Sequence, residues 1–252
     1  MSRKKDEQIK FLEDGLINNG LARQDHAKKR KWSLHDLITV QPLNTPQKDM
    51  FEAYFEGYHI IANGSAGTGK TLAGLFLALC DVLSKDSPQT QIIIVRSAVA
   101  TRDIGFLPGD INEKLEPFEL PYKDMMHFLT GKPEAYDTMK KCGVIQFMPT
   151  SFIRGLNWDE SVVVVDEVQN LTFHEINSVI TRTGVNTKLI IIGDQIQTDL
   201  YKSSNDKCGM GKFLEIARSM TDNNFAEIIF TKDDIIRSEF VRSWICALEE
   251  AG

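Results

Sequence analysis

Six apolar, mostly β-branched runs punctuate the chain, at 60–62, 92–95, 144–147, 162–165, 189–192 and 228–230. They are continuous rather than alternating, the pattern of strands buried on both faces of a parallel sheet. Between them lie stretches of helical periodicity near 71–83, 110–118, 173–182, 211–219 and 235–248. A further amphipathic helix, carrying Met50, Phe51, Tyr54 and Phe55, precedes the first run. Strands alternating with helices predict βαβ units and an α/β fold: a mostly parallel sheet with helices on both faces. Residues 1–35 break the pattern, being polar, mixed in charge and only weakly helical around Ile9, Phe11, Leu12 and Leu16. The chain therefore divides into a polar N-terminal extension over 1–35 and one α/β domain over 36–252.

Composition narrows the class without naming a function. At 252 residues, 42% hydrophobic and 25% charged, the chain reads as globular. No apolar run approaches the roughly 20 residues of a membrane span, and no leader resembles a signal peptide. Cys80, Cys142, Cys208 and Cys246 lie far apart with no paired spacing, which argues against zinc or a disulfide framework and for a reducing cytoplasm. A net charge of −6 excludes a protein that coats nucleic acid over its whole surface, so any such contact is a local groove or loop. The basic clusters at 2–5 and 28–31 read as a solvated arm or as a binding element.

The chemistry starts where the first apolar run ends. Residues 64–71 read GSAGTGKT, so Gly64, Gly69, Lys70 and Thr71 satisfy G-x-x-x-x-G-K-[ST] between a predicted strand and a predicted helix. Backbone N–H groups of Gly64, Ser65, Ala66, Gly67, Thr68 and Gly69 can turn toward one anion there, aided by the helix N-terminus. Lys70 is then placed for the β- and γ-phosphates, and the Thr71 hydroxyl for Mg²⁺. A strand at 162–165 delivers Asp166 and Glu167 at its C-terminal end, where open α/β sheets bind ligands. Asp166 suits the same metal, and Glu167 an attacking water, though such a pair can also cap a following helix. The run at 189–192 leads to Gly193, Asp194 and Gln197, a second polar set expected beside the γ-phosphate. Gln47, just ahead of the amphipathic helix, is either a reader of the adenine edge or an ordinary helix-start residue.

In this order the motifs resemble the PhoH family of P-loop ATPases, related to superfamily 1 helicase cores. The resemblance runs from about Leu37 to the C-terminus. It rests on the Gln47 region, GSAGTGKT, and the segments at 92–110, 149–158, 163–170, 180–184, 191–200 and 234–241. It implies a RecA-like fold, Mg²⁺-dependent ATP hydrolysis, action on single-stranded RNA or DNA, and a hexameric ring with nucleotide at subunit boundaries. The compact form resembles the stand-alone versions carried by bacteria and bacteriophages. Two positions depart from the family pattern, with Ser97 and Tyr201 standing where it commonly has proline. One lobe leaves the transferring phosphate without the arginine that superfamily 1 cores take from a second lobe. Arg237 and Arg182 are the candidates for supply from a neighbouring subunit, and an ion pair is the alternative for each. Arg96, Arg102 and Arg154, with Phe106 and Trp158 close by in sequence, suit a grip on single-stranded nucleic acid. Aromatics beside loops are also commonly packed. A nucleotide-gated switch that hydrolyses ATP without translocating is the alternative function.

Overall fold

The computed structural model describes residues 32–97, 111–194, 209–222 and 224–251. Its strands are β1 (His59–Gly64), β2 (Gln91–Arg96), β3 (Ile145–Pro149), β4 (Ser161–Val165), β5 (Lys188–Gly193) and β6 (Phe225–Phe230). They form one sheet in the order β3-β2-β4-β5-β1-β6, with every pairing parallel. The helices are α1 (Thr45–Phe55), α2 (Lys70–Leu83), α3 (Ile111–Thr130), α4 (Ala135–Lys141), α5 (Phe173–Ile180), α6 (Met210–Ser219) and α7 (Glu239–Ala251).

Two hydrophobic cores explain why the runs in β1, β2, β4 and β5 are continuous, whereas the edge strands β3 and β6 are less completely buried than their runs predict. Ile60, Ala62, Ile92, Ile94, Val162, Val164, Ile190 and Ile192 face one core, shared with α1 to α4. Their neighbours Ile61, Ile93, Val95, Val163, Val165, Leu189 and Ile191 face the other, shared with α5 and α6. Because strand side chains alternate between faces, a helix layer on each side demands apolar residues at every position. The first core also takes in Trp32 and Leu34, so packing begins ahead of residue 36.

Three helices differ from the sequence pattern. The sequence pattern gives a helix ending at Phe118, yet α3 contains Pro117 and continues through Pro121 to Thr130. Proline costs the helix an N–H and clashes with the preceding turn. Burial of Tyr122, Met126 and Leu129 in the core outweighs that local penalty. The last helix starts at Glu239 rather than near 235, because Asp234 accepts hydrogen bonds from the Thr231 N–H and hydroxyl and holds the chain in a 3-10 turn. The short α4 was absent from the periodicity. It is held by an ion pair from Lys140 to the nearly buried Glu119 at 2.6 Å.

Candidate nucleotide site

Strands β4, β5 and β1 are neighbours, so their C-terminal ends bring three sequence-distant loops together. After β1 the chain enters the glycine-rich loop. Gly64 has φ 127°, and a Cβ there would lie 1.8 Å from the carbonyl oxygen of Phe230, which accepts the Ser65 N–H. Gly69 caps α2 at φ 83°, where a Cβ would meet the Gln47 amide nitrogen at 2.7 Å. Both positions exclude a side chain, sterically and conformationally. The loop is anchored on its far side as well, since the Ile236 N–H donates to the Gly67 carbonyl.

A cavity of about 460 Å³ opens over this loop. Ala66 to Thr71, Asp166, Glu167 and Asp194 line it, so most residues expected to bind nucleotide share one space. Gly64 and Ser65 lie just behind, and their carbonyls each accept a hydrogen bond from the Lys70 ammonium at 2.7 Å. Burial pushes the Lys70 amine below its ordinary range, while Asp194, Glu167 and Asp166 oppose the shift. The Thr71 hydroxyl donates to Asp166 Oδ1 at 3.1 Å, bringing the two expected metal ligands together.

Glu167 is held from two sides. Its backbone is left-handed at φ 54°, uncommon for a residue with a side chain and frequent at functional positions. The Gln169 amide donates to Glu167 Oε2 at 2.6 Å, and the Arg96 guanidinium lies 4.0 Å from Oε1. Burial and the adjacent Asp166 raise the Glu167 carboxyl above its usual range, partly offset by Arg96, Gln169 and Lys70.

Other expected residues are placed differently. Gln47 is buried, and its amide is engaged at both ends, accepting from the Leu43 N–H and donating to the Thr68 carbonyl. Arg237 lines the cavity of its own chain. Arg182 is turned to backbone, donating to the carbonyls of Ile153 and Ser178. Trp158 corrects one expectation. It is only 4% exposed within the second core, so the packed alternative is the arrangement found and no face is offered to a base. Arg154 is exposed and lines a second cavity, of about 420 Å³, beyond the end of β3. Gln197, Arg102 and Phe106 lie outside the described residues.

Two contributors escaped sequence reasoning. Gln169, in the DEVQN segment, also accepts the Asp194 N–H at 3.0 Å and so ties the ends of β4 and β5 together. Tyr122 on α3 donates its hydroxyl to Asp166 Oδ2 at 2.8 Å. The position of Gln169 two residues beyond Glu167 was a usable signal. Tyr122 had none, being 44 residues away.

Sheet order, loop and paired carboxylates together define a RecA-like P-loop NTPase fold. Within that class a family model described as PhoH-like protein matches residues 39–249, and the chain belongs to this family. It is 31% identical over 218 residues to the PhoH-like protein of Mycobacterium tuberculosis, covering 85% of this chain and 60% of that protein. It is 34% identical over 188 residues to the PhoH-like protein of Bacillus subtilis, covering 74% of this chain and 57% of that one. Protein PhoH of Escherichia coli K12 is 34% identical over 205 residues, covering 81% and 56%. The chain thus spans at most 60% of the length of these relatives. A solved large terminase from bacteriophage HK97 superposes with a TM-score of 0.49 at 13% identity, over 85% of this chain and 47% of that one, too loosely to carry any inference. No described helix is long and apolar enough to cross a membrane.

Proposed function

We propose that the protein hydrolyses ATP with Mg²⁺ and couples turnover to single-stranded RNA or DNA, as a homo-oligomer of hexameric ring form. The observation that carries the hydrolytic reading is the convergence of Lys70, Thr71, Asp166 and Glu167 on one cavity. Phosphates lie against the loop N–H groups and the start of α2, where Lys70 exchanges its carbonyl contacts for phosphate oxygens. The metal reading fits the residues. A hydroxyl and a carboxylate 3.1 Å apart are hard oxygen donors, and Mg²⁺ is commonly held by one or two carboxylates plus substrate phosphates. Bound there, Mg²⁺ neutralises charge building on the phosphoryl oxygens. Glu167 orients and deprotonates the attacking water, with Gln169 fixing its carboxylate. Arg237 reaches the phosphates from within the same chain, and Asp194 and Gln197 sense the γ-phosphate.

Coupling to a polymer is supported by the same edge of the sheet. Arg96 pairs in register with Pro149, next to the cavity that Arg154 lines, and approaches Glu167. Phe152, 53% exposed beside Arg154, supplies the aromatic surface that Trp158 does not. Assembly is supported by apolar residues at the mouth of the nucleotide cavity, Phe128 at 59% and Ile236 at 38% exposure, and by Phe240, Trp244 and Leu248 on α7. The net charge of −6 favours the second reading, a nucleotide-gated switch that hydrolyses without translocating.

ATPase measurement with and without polyU and oligo-dT tests these readings. Turnover that requires Mg²⁺, is abolished in Lys70→Ala and is stimulated by either polymer supports coupling. Turnover indifferent to both polymers moves the protein to the switch reading. Light scattering of a fully active monomer would reject the ring. Mixing Arg237→Ala with Lys70→Ala subunits is expected to restore no activity, since the arginine acts in cis. Recovery in the mixture would return Arg237 to the neighbouring site.

A further inference from the structure

We propose that Tyr122 is a positioning residue for the metal-binding carboxylate, setting the orientation in which Asp166 meets Mg²⁺. The inference rests on the hydrolytic reading above and adds a residue that belongs to none of the nucleotide motifs.

The geometry is specific. Asp166 follows β4 and is 5% exposed, so few of its rotamers are solvated and its oxygens need partners. One oxygen accepts from Thr71 on the cavity side at 3.1 Å. The other accepts from the Tyr122 phenol at 2.8 Å on the protein side. Two donors on opposite oxygens fix the plane of the carboxylate, with the Thr71 edge directed at the cavity. The phenol itself is immobile. Tyr122 is fully buried, its ring lies 5.8 Å from that of Phe147, and α3 carries it past Pro117 and Pro121 into the first core. Partners that orient a ligating side chain from behind typically govern metal affinity by about 10–100-fold. An aliphatic residue would fill the same core space without reaching the carboxylate.

Tyr122→Phe keeps the ring and deletes only the hydroxyl. The test is fluorescent ATP-analogue binding titrated with Mg²⁺, alongside the same binding in EDTA and the thermal midpoint. The expected result is a roughly tenfold or greater rise in the Mg²⁺ concentration needed for half-maximal effect. Binding in EDTA should stay unchanged, and the ATPase should recover much of its turnover at high Mg²⁺. Equal losses with and without Mg²⁺ would overturn the proposal, leaving a packing role. An unchanged Mg²⁺ midpoint would overturn it as well. A second variant, Tyr122→Leu, separates fold from function. If only this one loses thermal stability while both raise the Mg²⁺ midpoint, the hydroxyl carries the effect. If the unsubstituted protein shows no Mg²⁺ response at all, the hydrolytic reading falls first, and the two failures are distinguishable.

Discussion

The two edges of the sheet each gather a buried lysine, a carboxylate and a tyrosine, and use them in opposite ways. At the N-terminal edge of the sheet, Lys188 approaches Asp81 Oδ2 at 3.0 Å and lies 4.2 Å over the Tyr54 ring. The Tyr54 hydroxyl donates to the same oxygen. Cation, anion and donor are spent on one another, with Asp81 fully buried. At the C-terminal edge, Lys70 is held by the loop carbonyls of Gly64 and Ser65, while Asp166 takes hydroxyls from Thr71 and Tyr122. Its charges face a shared cavity, where their closest contacts are neutral carbonyls and hydroxyls and the opposite charges act on one another from farther off. A closed trio specifies packing. An arrangement whose ammonium and carboxylates remain directed at shared space is able to take an anion and a cation.

The difference can be broken from either end. Asp81→Ala strands the Lys188 ammonium in the core and should cost about 3–5 kcal/mol of stability, read by denaturant unfolding. Nucleotide affinity per folded molecule should hardly change. Glu167→Gln should do the reverse, keeping the unfolding midpoint and ATP binding while cutting turnover by at least ~10²-fold. Normal turnover in that variant would remove Glu167 from the chemistry. Gln169→Ala deletes a hydrogen bond to a charged group and is expected to lower turnover roughly tenfold with little change in nucleotide affinity. Gln47→Ala should give the smallest effect. With both amide ends on backbone, its loss loosens the loop and raises KM for ATP and GTP alike, by about fivefold. A change in the ATP-to-GTP preference alone would make Gln47 the reader of the base.

Much of this was legible in the chain because it depends on neighbours in sequence. The glycine loop, its lysine and threonine, and the Asp166–Glu167 pair each sit at a strand end that local pattern already marks. What escaped was set by partners far away. Trp158 has the composition of a stacking surface, yet it is consumed by the second core. Arg182 resembles a free cation and is turned onto the carbonyls of Ile153 and Ser178. The helix expected over 110–118 ends short of Pro121, and core burial carries it on to Thr130. An interior proline costs a helix about 3 kcal/mol, and burying several large side chains such as Tyr122, Met126 and Leu129, at about 1.5–3 kcal/mol each, offsets it.

By itself the sequence determined the α/β alternation, the two-sided burial of the central strands and the family to which the chain belongs. Those follow from periodicity and from short motifs whose geometry is local. Only the tertiary structure decided which charges are paired and which face a cavity, because that depends on strand order. Placing β5 between β4 and β1 sets Asp194 beside both the loop and Glu167, and carries Lys188 to Asp81 at the other edge. Strand neighbours are chosen by long-range packing of the whole sheet, and no window of sequence contains that choice.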